Sequence, residues 1–253
     1  MSDTHTSTGR QASGCCGGGS AAKESSGCCG GSGKSGGGCC KSGREPLTPM
    51  TVEELKAMPT DALIMRFRRG IENIDRRVFE LTERQIDQAF LPDAGVGRWP
   101  VRVLIGHLAD ADLAAIHRMR RAVAEENPLI SEWDENAFVD ANIYGNAHEG
   151  YADSPESDHA RVMNALGGPL ATIHTLRQWT SQWLLSLDAP ALERRCLHPT
   201  LGPLSVRDLV AMYTWHLEHH CRFLARKLDL LVGAEPQPAP AAENCGTGCG
   251  CTR

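Results

Sequence analysis

Trp215-His216-Leu217-Glu218-His219-His220 lies in the last long periodic stretch of the chain. Around it Val206, Leu209, Tyr213, His216, His220 and Leu224 recur at spacings of three or four. That is the period of one face of an α-helix. Neighbouring Cβ atoms on such a face are about 5–6 Å apart. His216 and His220, at i and i+4, can therefore offer two ring nitrogens to one ion. Two polar rings inside an apolar stripe must find partners. One reading is a pair of core histidines bonded to carbonyls or carboxylates; the other is a metal site. Their shared register and a third inward histidine favour the metal.

The third histidine is His107, in Gly106-His107-Leu108-Ala109-Asp110. A helix is predicted from about Pro100 to Glu126, with Pro100 suited to its first turn. Val103, His107, Ala111 and Ala114 share one face of it, so His107 also points inward. Three neutral imidazoles with one open position are a common catalytic zinc arrangement.

Composition divides the 253 residues into three parts. Residues 1–46 hold 13 of the 26 glycines and 6 of the 11 cysteines, with almost no large apolar side chain. Such a segment cannot bury enough surface to offset its ordering entropy, and a disordered tail is expected. Residues 47–232 carry the periodicity of one globular domain with a single core. Residues 233–253, opening on a Pro/Ala-rich run, read as a second flexible tail.

The net charge of −5 implies no general field for nucleic acid or an anionic membrane. Arg66, Arg68, Arg69, Arg76 and Arg77 read as a small basic face, of the kind that is usually solvated. The N-terminus lacks the basic-then-apolar pattern of a signal peptide, and no run is long enough to span a bilayer. A cytoplasmic location with reduced thiols is expected, which favours metal or redox chemistry over a disulfide framework.

The globular part reads as helices. Thr60 or Asp61 is expected to cap a first long helix with the stripe Ile64, Phe67, Ile71, Ile74, Val78 and Leu81. Pro92, Gly95 and Gly97 break the chain before the His107 helix. A long connection then holds Trp133, Asp134, Glu135, Phe138 and Tyr144, and its length leans toward function. A third stretch runs from Val162 to Trp183, and Gly167-Gly168-Pro169 should kink or interrupt it. His198-Pro199 to Gly202-Pro203 is a turn-rich link into the last helix, with Ser205 as N-cap. Four long helices without strand alternation make an all-α, four-helix bundle, and the long connections allow a topology other than up-down-up-down.

Three segments carry a resemblance to a known family. Gly97-Arg98-Trp99-Pro100-Val101-Arg102 leading into His107 to Asp110 resembles the second helix of the DinB-like superfamily. Glu126-Asn127-Pro128 through Trp133-Asp134-Glu135 resembles the following loop in its YfiT-type branch. His198-Pro199-Thr200-Leu201-Gly202 and then Tyr213 to His220 match that branch's entry to the last helix. The pieces come in the family's order across roughly residues 60–231, and the last-helix motif is the most specific of them.

The resemblance implies a DinB-like bundle holding a divalent metal through His107, His216 and His220. Zinc is the first candidate, with nickel, iron or manganese as others. It also implies thiol chemistry, since the branch includes bacillithiol S-transferases and the superfamily includes mycothiol-dependent enzymes; other members are named as metal-dependent hydrolases. The expected partners are a low-molecular-weight thiol and a small electrophile, with a homodimer allowed, and neither nucleic acid nor membrane. A His₃ metal with an open position can hold a thiolate or acidify water. Asp110, one turn after His107, reads as a supporting partner, a base, or an ordinary surface carboxylate. Trp133 and Asp134 read as the pocket mouth, or as a loop anchored by one aromatic. Glu218 and His219 should flank the ligand face, His198 should be a turn residue, and Cys221 should pack.

The cysteine-rich ends depart from the family pattern. Cys15-Cys16, Cys28-Cys29 and Cys39-Cys40 sit in Gly/Ser surroundings, with Cys245, Cys249 and Cys251 at the other end. Clustered thiolates suit soft or borderline ions, and the spacing is not that of a zinc finger. Two classes of function follow. One is a metal-dependent thiol transferase or hydrolase with accessory metal-binding tails. The other is a metal-handling protein whose bundle has lost catalysis.

Overall fold

The computed structural model describes residues 50–145 and 158–234. The nine tail cysteines lie outside these residues. Helix α1 is Val52–Ala57, opened by a capping box between Thr51 and Glu54. Helix α2 is Thr60–Arg68. Its N-cap is Pro59, without a side-chain cap, so neither Thr60 nor Asp61 plays the expected capping role.

The first stripe does not form one helix. After Arg68 the chain passes into two 3₁₀ turns, Gly70–Asn73 and Arg76–Glu80. A Cβ on Gly70 would lie 2.5 Å from Arg177 Nη1 and 2.6 Å from Leu217 Cδ2, so the backbone packs too closely here for a side chain. The Asp75 carboxylate then accepts from Arg77 N–H at 3.0 Å and starts the second turn. Ile74, Val78 and Leu81 are buried nonetheless. An apolar residue every three or four positions fits a 3₁₀ segment as well as an α-helix, which is why the stripe misled.

Helix α3 is Glu83–Ile86, and a 3₁₀ turn at Pro92–Ala94 precedes the long α4, Val101–Ala124. Helix α5 is Glu135–Asp140. Helix α6, Asp158–Leu185, runs through Gly167-Gly168-Pro169 without the interruption that these residues could have caused. Proline removes its own N–H from the ladder and crowds the carbonyl one turn before it, and the helix continues past both here. Buried Val162, Leu166, Leu170 and Ile173 hold both sides of that point against the core, and the Thr172 hydroxyl donates to the Gly168 carbonyl at 2.9 Å.

Helix α7 is Ala189–Leu192. The link before the last helix is a hairpin missing from the sequence reading. Strands β1, Arg195–His198, and β2, Gly202–Ser205, pair antiparallel with Cys196 opposite Leu204. Gly202 supplies the left-handed turn residue at φ 75°, and His198 Nδ1 accepts from the N–H groups of Thr200 and Leu201 at 3.2 Å each. Helix α8, Val206–Val232, starts on the expected Ser205 cap, completed as a capping box by Asp208.

The main packing partners of α4 are α6 and α8, and the same two helices take α2. Helices α2 and α4 thus occupy opposite corners, an order unlike a simple up-down bundle. The core forms two apolar clusters. Between them lies the buried pair Asp112–Arg177, with Arg177 also donating to the Phe67 and Tyr213 carbonyls at 3.0 Å each. Among the described residues no helix is long and apolar enough to cross a membrane.

The predicted basic face is largely tied up. Arg66 grips Glu218 with bonds of 2.7 and 2.9 Å. Arg68 donates to Gln178, Arg69 to Glu72, and Arg77 to Asp75 and Asp229. These partners come from α6, α8 and neighbouring turns, which the local sequence does not announce.

Lys227 is a fully buried cation, its ammonium donating to the Gly97 carbonyl at 2.8 Å and lying 4.1 Å from the Phe90 ring centre. Burial pushes it down to about 8. An unfolded lysine keeps its proton to about 10.4. Between these values the unfolded chain binds more protons, so stability rises with pH through that window. Chemical denaturation should show the chain gaining stability from about pH 8 toward 10 relative to Lys227→Met. Parallel pH profiles for the two proteins would refute this.

Candidate functional site

The site lies where the middle of α4 faces the middle of α8. His107 is buried at 1% exposure, and α8 brings His216 and His220 to it from one face, one turn apart. His107 Nε2 lies 3.2 Å from His216 Nε2. The ring of His107 is 5.1 Å from that of His216 and 5.2 Å from that of His220, and the two rings of α8 are 4.6 Å apart. One ring nitrogen from each histidine lies within 4.8 Å of the others. The sequence pattern placed these three rings on inward faces; the packing of α4 on α8 brings them together.

All three rings sit in a desolvated setting that disfavours the imidazolium. Burial pushes His107 down to about 4. Burial, then the charges of His107, His219 and Lys227, push His220 down to about 3. His216 falls well below the ordinary range for the same first reason, with His220 and His107 adding to it. Neutral rings are the form that ligates a metal. Two imidazole nitrogens at 3.2 Å must share a proton or a cation, since their lone pairs repel. Among the described residues, His107 Nδ1 is buried with no hydrogen-bond partner. It is the outward nitrogen of a ring whose Nε2 faces the cluster. The donor set, its neutrality and its convergence all fit a divalent ion.

Aromatic rings surround the cluster. Trp133 stacks on His107 at 5.6 Å and 9°, and meets Phe138 edge-on at 4.7 Å. Trp99 lies 5.0 Å from His107 and 6.5 Å from His220. The segment carrying Trp133 is held by the hairpin, with Ile130 N–H donating to Leu197 O at 3.0 Å and Leu197 N–H to Pro128 O at 2.9 Å. The strand pair missed in the sequence therefore fixes one wall of the site.

Asp134 caps α5, accepting from Asn136 and Ala137 N–H at 3.0 and 3.2 Å, and its side chain is exposed. Asp110 is half-buried beside Tyr144. Burial raises its carboxyl, with Tyr144 acting in the other direction. The Tyr144 ring covers Gly106 and leaves no room for a Cβ there. Glu218 pairs with Arg66, while His219 packs on Trp215 at 4.6 Å and Phe223 at 4.9 Å. Cys221 is buried in an apolar cluster.

Little in the sequence marks Glu135 as a site residue. Its Oε1 lies 3.9 Å from His107 Nε2. Burial, then the Asp134 charge, raises its carboxyl above the usual range. Its adjacency to Trp133-Asp134 was the only signal, and an exposed helix-start glutamate reads the same way in sequence.

The matching family model is described as the DinB superfamily and covers residues 45–224. A protein of Oceanobacillus iheyensis, named "Putative metal-dependent hydrolase", is 29% identical over 165 residues, or 64% of this chain and 83% of the relative. One of Bacillus mycoides with the same name is 27% identical over 169 residues, again 64% and 83%. Among solved structures, YfiT from Bacillus subtilis superposes with a TM-score of 0.53 at 21% identity, covering 76% of this chain and 94% of that one. It is described as a probable metal-dependent hydrolase with an unusual four-helix bundle topology. At that identity the likeness speaks for the fold alone. The family match reaches from before α1 into α8 and takes in all three histidines, and on that extent the chain belongs to the DinB superfamily.

Proposed function

We propose that His107, His216 and His220 hold one divalent metal ion and that the chain is a metal-dependent enzyme acting on a small molecule. The observation that carries this reading is the approach of His107 and His216 nitrogens to 3.2 Å with His220 beside them. Zinc is the first candidate for a set of neutral imidazoles, ahead of nickel, iron and manganese. A divalent ion bound there supplies Lewis acidity and acidifies water or a thiol. The chain supplies the surroundings. Trp99 and Trp133 form apolar walls, and Glu135 Oε1 is placed to take up a proton beside the cluster.

Hydrolysis is the first reading of the reaction, supported by the names of the relatives. Transfer of a low-molecular-weight thiol to a small electrophile is the second. It is favoured by segment 126–135, whose resemblance to the bacillithiol S-transferase branch coincides with a place against the cluster through Trp133 and Glu135. Zinc-loaded protein should be assayed on ester and amide panels and on a model electrophile, with and without several thiols. Turnover without thiol identifies the hydrolase; strict thiol dependence identifies the transferase. A firmly loaded site with neither activity would replace both by a metal-handling role. Soft-ion binding by the tail cysteines is a separate part of this proposal. It predicts that the intact chain carries more copper(I) or zinc than a variant with those nine cysteines replaced by serine.

A further inference from the structure

Helix α4 carries a second polar position on the face of His107. Residues eleven apart return to nearly the same side of an α-helix, so Arg118 lies in line with His107, about 16 Å further along the axis. Its side chain leans back toward the helix N-terminus and shortens that gap. A pocket of about 180 Å³ opens there, bordered by Ala114, His117, Arg118, Arg121, Ser131 and Trp133. Two residues link it to the histidine cluster. Trp133 borders the pocket and stacks on His107. Tyr213 accepts a hydrogen bond from Arg118 through its hydroxyl, and its ring lies 6.3 Å from that of His216.

The charges in this pocket do not cancel. Arg121 is matched by Glu125 at 2.7 Å. Glu132 is engaged by Thr200, whose hydroxyl donates to it at 2.6 Å. The half-buried Arg118 bonds only the Tyr213 hydroxyl and the Ser131 carbonyl, both uncharged, and has no carboxylate partner among the described residues. Those bonds use one N–H on each terminal nitrogen. The Nε–H and one further N–H on each terminal nitrogen remain. A guanidinium stays protonated at any working pH, and its fork matches a carboxylate or phosphate. The exposed imidazole of His117 stands beside it.

We infer that this pocket is an anion-binding subsite, in which Arg118 holds the carboxylate or phosphate of a small molecule beside the His107–His216–His220 cluster. The inference rests on the enzymatic reading for what the anion is attached to, its substrate or thiol, but not for the binding itself.

Metal-free, dialysed full-length protein should be titrated calorimetrically with inorganic phosphate and with succinate at low salt. Saturable millimolar binding of at least one is expected, and the tighter of the two tells a phosphate from a carboxylate ligand. Arg118→Gln should weaken it by about tenfold or more, the loss of a charge-assisted contact, while zinc uptake is unchanged. Ala114→Glu sets a carboxylate one turn before Arg118 and should abolish anion binding with both Arg118 bonds intact, which covers the case that Arg118→Gln does not fold. Binding that is equal in all three proteins, or absent from the unsubstituted chain, overturns the subsite. Zinc uptake without anion binding would sink this inference alone. Anion binding lost in the variants of a chain that takes up no zinc would support it and sink the metal reading.

Discussion

Arg177→Met should lower the stability of the bundle by about 3–5 kcal/mol, the cost of leaving one member of a buried ion pair without its partner. Asp112 and Arg177 are both about 1% exposed. They meet through two parallel bonds of 2.7 Å, Nε to Oδ2 and Nη2 to Oδ1. Burial raises the Asp112 carboxyl despite the guanidinium beside it, so the carboxylate is held there at a cost that only Arg177 offsets. The same guanidinium closes the Phe67 and Tyr213 carbonyls, tying α2 and α8 to α6. Gly70 is the position that makes room for it. Urea unfolding of Arg177→Met, Asp112→Leu and the double variant should give a double variant more stable than Arg177→Met alone, because no unpaired carboxylate remains. It should still fall short of the unsubstituted chain, since the Phe67 and Tyr213 carbonyls each lose the bond that Arg177 adds. A loss below about 1 kcal/mol in Arg177→Met would mean that water reaches this layer and that it does not anchor the helices.

Saturating zinc should raise the melting temperature by about 5–10 °C over chelator-treated protein, and His216→Ala should erase that rise. At a hundredfold excess over its dissociation constant, a ligand specific for the folded state adds about 2.7 kcal/mol. For a domain of this size each kcal/mol moves the midpoint by about 2–4 °C. His216 joins the other two rings, its nitrogen 3.2 Å from that of His107 and its ring 4.6 Å from that of His220. Removing it should weaken zinc binding by more than the about 10–100-fold that loss of a mere supporting partner costs. His219→Ala is the matched control: its ring lies against Trp215 and Phe223 and meets His220 edge-on at 5.5 Å, but it is not one of the three converging rings. Metal content and melting should be measured on variants lacking the tail cysteines, so that ions on the tails do not enter the count. An unchanged zinc-dependent rise in His216→Ala would remove the cluster from consideration as the metal site.

What the sequence by itself determined were the properties carried by local periodicity and by short motifs. The inward faces of α4 and α8, the register of His216 with His220, the Ser205 cap and the family resemblance needed only neighbours along the chain. The 3.6-residue repeat and capping chemistry act over a few positions. Even there the signal was coarse, since a repeat of threes and fours did not separate α-helix from the 3₁₀ turns after Arg68. Tertiary structure decided everything that joins residues far apart. It set α2 and α4 at opposite corners, paired Arg66 with Glu218 across 152 residues and closed Asp112 on Arg177. It also used a hairpin, hidden in a turn-rich link, to hold Trp133 against His107. Glu135 and Arg118 gain their meaning only there. A carboxylate or guanidinium reads alike on any helix surface, and its chemistry depends on which charges the fold leaves beside it unmatched.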